Sequence, residues 1–276
     1  MTTIPSLRLN DGHDLPALGF GTYPHGYADS ERAVGHALEL GYRLIDTALR
    51  YENEVEVGTA IRKSPVPREE IVLTSKLPGR NHGYGEAFQA FEESSRNLGL
   101  DTIDLYLIHW PLPKQGKYVD TWKALVELQK AGKVRSIGVS NFTEEHLKDL
   151  QDATGVTPSV NQVELHPYFP QQALREFHAR NGIVTQSWSP LGRGQLLQEP
   201  LLVELAEKYG VGVGQLVLRW HLQNGVVPIP MSNNPERQQH NLEIFGFDIT
   251  DEDLARINSL EKGRLWGQDP NEHEEF

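Results

Sequence analysis

Three acid–base side chains close three consecutive apolar, β-prone runs: Asp46 ends residues 44–46, Lys76 ends 71–76 and His109 ends 103–109, with Tyr51 five positions beyond Asp46. If the runs are neighbouring strands, ~4.8 Å apart, an ammonium stands between a carboxylate and an imidazole. The phenol in the loop above can reach that row. The chemistry that suits the set is proton donation by a phenol. A tyrosine titrates near ~10, and an adjacent ammonium stabilises its phenolate and lowers that value. Lys76 would do this, Asp46 would hold Lys76 in place, and His109 would orient a substrate oxygen or relay a proton. Each residue alone has a plainer explanation as an ion pair, a hydrogen-bonded core histidine or a packed ring. Together they are hard to explain as stability, since buried charges gain a fold little and can cost it a good deal.

Positioning these groups requires strand ends that converge, and the pattern of the chain supplies them. Asn10-Asp11-Gly12, between Leu7 and Leu15, predicts an opening hairpin, because Asp-Gly accommodates the positive φ angles of a tight turn. Strands are expected at 18–21, 44–46, 71–76, 103–109, 134–140, 160–165, 183–188 and 226–229. Helical spacing of apolar residues fills the intervals. Asp29 is placed as the cap of a first helix whose inner face carries Ala33, Val34, Ala37 and Leu38; a second covers 54–62, and later ones carry Phe91 and Leu98, Trp122 and Leu125, Leu147 and Leu150, and Leu174 and Phe177. Two helices at 201–209 and 215–223 precede the last strand, two more at 235–245 and 251–260 follow it, and the polar stretch 267–276 reads as a loop. The Gly210–Gly214 glycines follow a helix and not a strand, so they read as a helix-to-helix turn and not a dinucleotide fingerprint. Eight strand–helix alternations imply parallel pairing through right-handed crossovers. The expected fold is α/β, a (β/α)8 TIM barrel with an N-terminal β-hairpin and an extra C-terminal helix, forming one domain over residues 1–276. Functional side chains in such a barrel gather at the C-terminal strand ends.

Composition narrows the partners. With 26 basic against 38 acidic side chains, the formal charge is −12, which argues against nucleic acid. The absence of cysteine removes thiol nucleophiles and thiolate metal sites, and the eleven histidines include no HExxH pair, so no catalytic metal is expected. No apolar run approaches the ~20 residues needed to span a bilayer, and no leader pattern opens the chain. A cytoplasmic protein with no membrane partner is the expectation.

The stretches GYRLIDTALRYENEVEVG, IVLTSK, DLYLIHWP, KAGKVRSIGVSNF and NQVELHP stand in this order along nearly the whole chain. They resemble those of the aldo-keto reductases, NAD(P)H-dependent barrels that reduce aldehydes and ketones, and look most like bacterial members that include diketogluconate reductases. The resemblance implies Tyr51 as general acid, Asp46 and Lys76 as its tuning pair, and His109 as the residue that orients substrate. It implies cofactor contacts from Gly21, Thr22 and Asp46; from Ser140, Asn141 and Gln162 to the nicotinamide carboxamide; from Trp188 by stacking; and from Pro190, Leu191, Gly192 and Gly194 over the pyrophosphate. At the adenosine end it implies Met231, Ser232, Arg237 and Asn241. Met231 stands where family members that prefer NADPH commonly carry a lysine, and His240 where a glutamate is usual, so NADPH is expected with NADH as an alternative. Tyr23, His109, Trp110 and Trp266 are the implied substrate contacts, with Tyr27 and Leu77 at the rim. A monomer acting on a small-molecule carbonyl is expected. The rival reading is a barrel kept for sensing or structure that binds cofactor with negligible turnover.

Overall fold

The structure, a computed structural model, describes residues 4–23 and 27–275, and for Tyr27 and Ala28 the backbone alone, so the expected place of Tyr27 lies outside the described side chains. Strands β1 (Ser6–Arg8) and β2 (Asp14–Pro16) pair antiparallel around Gly12, whose φ of 90° is the conformation the Asp-Gly pair predicts. Eight parallel strands follow: β3 (Phe20–Gly21), β4 (Leu44–Asp46), β5 (Val72–Leu77), β6 (Ile103–Ile108), β7 (Val134–Ser140), β8 (Val160–Glu164), β9 (Val184–Trp188) and β10 (Val226–Pro228). They neighbour one another in chain order, as right-handed crossovers require. The sheet closes on itself through Gly19 N donating to Pro228 O at 3.0 Å and Gly21 N to Pro230 O at 3.1 Å. The seam is tight: a Cβ on Gly19 would stand 2.7 Å from Ile229 Cγ2, so only glycine fits there.

Helices α1 (Tyr27–Leu40), α2 (Glu54–Lys63), α3 (Tyr84–Leu98), α4 (Tyr118–Lys130), α5 (Glu144–Thr154) and α6 (Gln172–Arg180) follow β3 to β8 in turn. Both α7 (Pro200–Tyr209) and α8 (Val213–Gln223) lie between β9 and β10, joined at the glycine-rich turn, and α9 (Pro235–Leu242) and α10 (Asp251–Asn258) come after β10. Three details differ from expectation. Helix α1 starts at Tyr27, so Asp29 lies inside its first turn and pairs with Arg32 at 2.7 Å instead of capping. Helix α9 stops at Leu242, where Glu243 leaves helical geometry at φ −86° and ψ 47° and the chain enters a turn. Leu77 is fully buried among the helix-facing core residues and is not at the rim, because alternation along β5 turns it outward when Lys76 points inward.

Packing is layered. Leu44, Leu105, Leu107, Val160 and Val227 fill the barrel interior below the site, and Leu9 and Leu15 of the hairpin region join that cluster from underneath. Several histidines are buried in the surrounding structure, His82, His178 and His221 among them. His178 sits between Thr185 Oγ1 at 2.8 Å and Asn161 Nδ2 at 3.0 Å, and burial pushes its imidazole down to about 3. Burial likewise pushes His221 down to about 3 and His82 to about 4. These groups fold neutral while the unfolded chain binds protons near the ordinary imidazole value of 6.5, so acid favours unfolding. Stability is therefore complete above about pH 6.5 and declines as pH falls from there toward the folded values. The slope reaches about 1.4 kcal/mol per pH unit for each group. Thermal melts between pH 8 and 5 should show the midpoint dropping below pH 6.5, and less steeply in His178→Gln.

Candidate active site

The strand register makes the candidate site a staircase where a level row was expected. Asp46 lies opposite Thr74, so Lys76 stands two residues further up β5; Lys76 lies opposite Leu107, so His109 stands two residues further again, just past the end of β6. Steps of two keep all three side chains on the inner face, and the stagger is the one that closing a barrel imposes. Tyr51 arrives from a single tight turn, Leu49–Tyr51, that Glu52 ends with a left-handed φ of 56°.

Lys76 Nζ donates to Asp46 Oδ1 at 2.6 Å, to Thr47 O at 3.0 Å and to Tyr51 Oη at 3.3 Å, which uses all three ammonium protons. The lysine is fully buried and the aspartate 2% exposed. The second Asp46 oxygen accepts from Gln162 Nε2 at 2.7 Å across the barrel, and the same amide donates to Gln186 Oε1 at 2.7 Å. Burial pulls the Lys76 ammonium down, but Asp46 and Tyr51 outweigh it and leave the value raised, so the lysine stays charged. For Tyr51 the order of effects differs. Burial pushes the phenol up, Lys76 pulls it back and Asp46 pushes it up again, leaving it above the usual value. The expectation of a phenol held below ~10 therefore needs correcting for the protein alone: desolvation outweighs the ammonium.

His109 presents its ring edge-on to Tyr51, with centroids 5.8 Å apart. Its other side meets a group absent from the expected set. Glu275 Oε1 lies 2.6 Å from His109 Nδ1, while Oε2 accepts from Gly79 N at 2.8 Å and Arg50 Nε stands 3.6 Å from the carboxylate. Burial raises the Glu275 carboxyl, but His109, the Gly79 amide and Arg50 together hold it below the usual carboxylate value. Nothing in its sequence setting, the polar run from Asn271, distinguishes this glutamate from Glu272 and Glu274.

The expected carboxamide-binding residues are brought together, and they are bonded to one another. Ser140 Oγ donates to Gln162 O at 2.8 Å; Asn141 Nδ2 donates to His109 O at 3.0 Å and to Ser140 Oγ at 3.1 Å; Trp188 Nε1 donates to Asn141 Oδ1 at 2.7 Å. Asn141 holds a left-handed φ of 65°, a conformation asparagine tolerates and functional sites often exploit. Beyond Trp188, the Pro190–Gly194 loop turns through Gly192 and Gly194 at φ 56° and 90°, with Gly194 N donating to Leu191 O at 3.0 Å and Pro190 O facing His221 Nε2 at 3.1 Å. At the far end, Ser232 Oγ accepts from Asn234 N at 3.1 Å, and Asn234 caps α9 by accepting from Arg237 N at 3.0 Å. Met231 is 39% exposed, Arg237 is exposed, and Asn241 lies on the same helix.

This donor set fits a dinucleotide. Gly21 backs onto Ile229 O, where an added Cβ would stand at 3.0 Å, and the buried Thr22 Oγ1 has no hydrogen-bond partner among the described residues. Arg237 forms no ion pair among the described residues and lies in the first turn of a capped helix, a favourable setting for an anion. Of the expected substrate contacts, Tyr23 is 51% exposed and stacks 4.9 Å from Tyr51. Trp266 lies 5.4 Å from Trp188 with the Arg193 guanidinium 4.5 Å over its ring, which places it against the cofactor side of the cleft. Trp110 is only 6% exposed because His273 covers it at 4.1 Å. No group able to hold a metal ion occurs among the described residues.

The chain is similar to known proteins along its whole length. The profile of the Aldo/keto reductase family matches residues 17–262. The chain is 55% identical over 277 residues to 2,5-diketo-D-gluconic acid reductase B of Corynebacterium sp. (strain SHS752001), covering 100% of both chains. It is 50% identical to an aldo-keto reductase of Mycolicibacterium smegmatis, covering 96% of this chain and 97% of that one. Among solved structures, Gox0644 in its apo form and a Gox0644 mutant in complex with NADPH each superpose with a TM-score of 0.94 at 47% identity, covering 99% of both chains.

Removing Lys76 would leave Asp46 buried without its counter-charge. Lys76→Met is expected to cost about 3–5 kcal/mol of stability by chemical denaturation, and Asp46→Asn combined with Lys76→Met to recover much of it.

Proposed function

Because the chain belongs to the aldo/keto reductase family, we propose that it uses NADPH to reduce the carbonyl group of an aldehyde, ketone or diketo sugar acid, with Tyr51 as the proton donor. The observation that carries this reading is the buried Asp46–Lys76–Tyr51 chain, which runs from the barrel interior to a phenol facing the cleft beside His109.

Ser140, Asn141 and Gln162 would hold the carboxamide of the nicotinamide, Trp188 its ring, and Ser232 and Arg237 the phosphate-bearing end. When bound, the reduced nicotinamide supplies the hydride that goes to the carbonyl carbon. The carbonyl oxygen, lying between Tyr51 Oη and His109, then takes the phenolic proton. Lys76 Nζ, 3.3 Å from Tyr51 Oη, stabilises the phenolate left behind, and Asp46 prevents the ammonium from swinging away. Lys76 is the group that pulls the phenol down against its burial, which favours release of the proton. The 2,5-diketo-D-gluconic acid reductase relative supports a polar keto acid within the substrate range, and the NADPH complex of Gox0644 supports NADPH as cofactor.

Following NADPH consumption with a panel of aldehydes, ketones and keto acids tests this directly. Tyr51→Phe is expected to lose about 10²- to 10⁴-fold in turnover while NADPH still quenches tryptophan fluorescence. Full activity in that variant would remove Tyr51 from its role, and no consumption with any carbonyl would favour a barrel that only binds cofactor. At the adenosine end, Met231→Lys should tighten NADPH relative to NADH by roughly one to two powers of ten, because a charge-assisted hydrogen bond is worth about 1.5–3 kcal/mol. An unchanged ratio would separate Met231 from cofactor choice.

A further inference from the structure

We infer that Glu275, carried by the irregular segment after α10, is a positioning residue for His109: its carboxylate seats on Nδ1 and turns Nε2 toward the reacting oxygen. The inference rests on the carbonyl-reductase reading for its kinetic consequence, although the placement of the proton on the ring stands apart from it.

Three observations build the seat. The carboxylate is 3% exposed and lies 2.6 Å from Nδ1 of His109, whose ring meets Tyr51 edge-on. Its other oxygen is fixed by Gly79 N at 2.8 Å, at the first residue of the tight turn after β5, and Arg50 approaches at 3.6 Å. The backbone of the segment is seated as closely as the side chain. A Cβ on Gly79 would stand 2.6 Å from Glu275 O and 2.3 Å from Leu112 Cδ1, so the segment can dock only because residue 79 is glycine. Two residues earlier, the His273 ring rests on Trp110 with centroids 4.1 Å apart.

The chemistry follows from the inventory of donors. Glu275 is ionised at neutral pH, because His109, the Gly79 amide and Arg50 outweigh its burial. An ionised carboxylate can only accept, so the proton shared across 2.6 Å belongs to Nδ1. The approach lacks the alignment of a full hydrogen bond among the described residues and is a close polar contact at 2.6 Å. Such contacts commonly straighten when a substrate completes the site. With Nδ1 committed to Glu275, Nε2 is the ring atom left to face the substrate; a carbonyl oxygen only accepts, so Nε2 orients it by carrying a proton of its own. Fixing tautomer and orientation through the far nitrogen is the same device that carboxylates supply to metal-bound and catalytic histidines.

The test uses the full chain and two variants that act on the seat from opposite sides. Glu275→Ala removes the carboxylate, and Gly79→Ala leaves Glu275 in place but removes the space in which its segment docks. Both are expected to lower kcat/KM for a carbonyl substrate by about 10- to 100-fold, mostly through kcat, with the dissociation constant for NADPH within twofold of the parent. Nitrogen-15 spectra of the histidine rings, recorded without substrate, are expected to show a proton on Nδ1 of His109 in the parent and its loss from Nδ1 in both variants. Glu275→Ala retaining kcat/KM within twofold, or His109 nitrogens unchanged by either variant, would overturn the inference. If the parent reduces no carbonyl, the reductase reading fails while the ring-nitrogen result still decides the role of Glu275.

Discussion

A lysine with no exposed surface and an aspartate with almost none form an ion pair in the mouth of the barrel, and the rest of the site depends on how that pair is satisfied. Taking two charges out of water costs more than their attraction returns unless every remaining proton and lone pair finds a partner. Here each does. Thr47 O and Tyr51 Oη take the other two ammonium protons, and Gln162 reaches across from β8 to the second carboxylate oxygen. The phenol is thus one of the groups that make the buried charge tolerable, and its position is set by the same hydrogen bonds that would stabilise its anion.

The barrel earns this arrangement through its register. Because neighbouring strands are offset, Asp46, Lys76 and His109 climb by two residues per strand, each still pointing inward. Leucine and valine side chains fill the interior beneath them, leaving the ion pair no water from below. Ser140, Asn141, Gln162 and Trp188 stand on the next strand ends and satisfy one another in the ligand-free state.

Much of this was legible in the chain. Alternation of strand and helix patterns, with an acid, a base and an imidazole closing three successive strands, was enough to expect the barrel and to bring Asp46, Tyr51, Lys76 and His109 together. The vertical offset between those residues was not readable, since register is set by closure of the whole sheet and leaves no local trace. Nor was the direction of the Tyr51 shift, because burial depends on Tyr23, His109 and the surrounding loops as well as on Lys76. Glu275 was missed for a related reason. A glutamate in an acidic, polar segment reads as solvated, and only the folded chain shows that Gly79, remote in sequence, leaves room for it. Trp110 was read as an open wall, and the same segment covers it with His273.

The site turns on a phenol raised by burial and coupled to a buried ammonium. Ultraviolet difference titration of the protein against Tyr51→Phe isolates that one group, and Lys76→Met measured the same way isolates its partner. Tyr51 is expected to ionise above the ordinary tyrosine value of ~10 and to move higher still when the ammonium is removed. A midpoint at or below that value in the ligand-free protein, or no movement in Lys76→Met, would contradict the account.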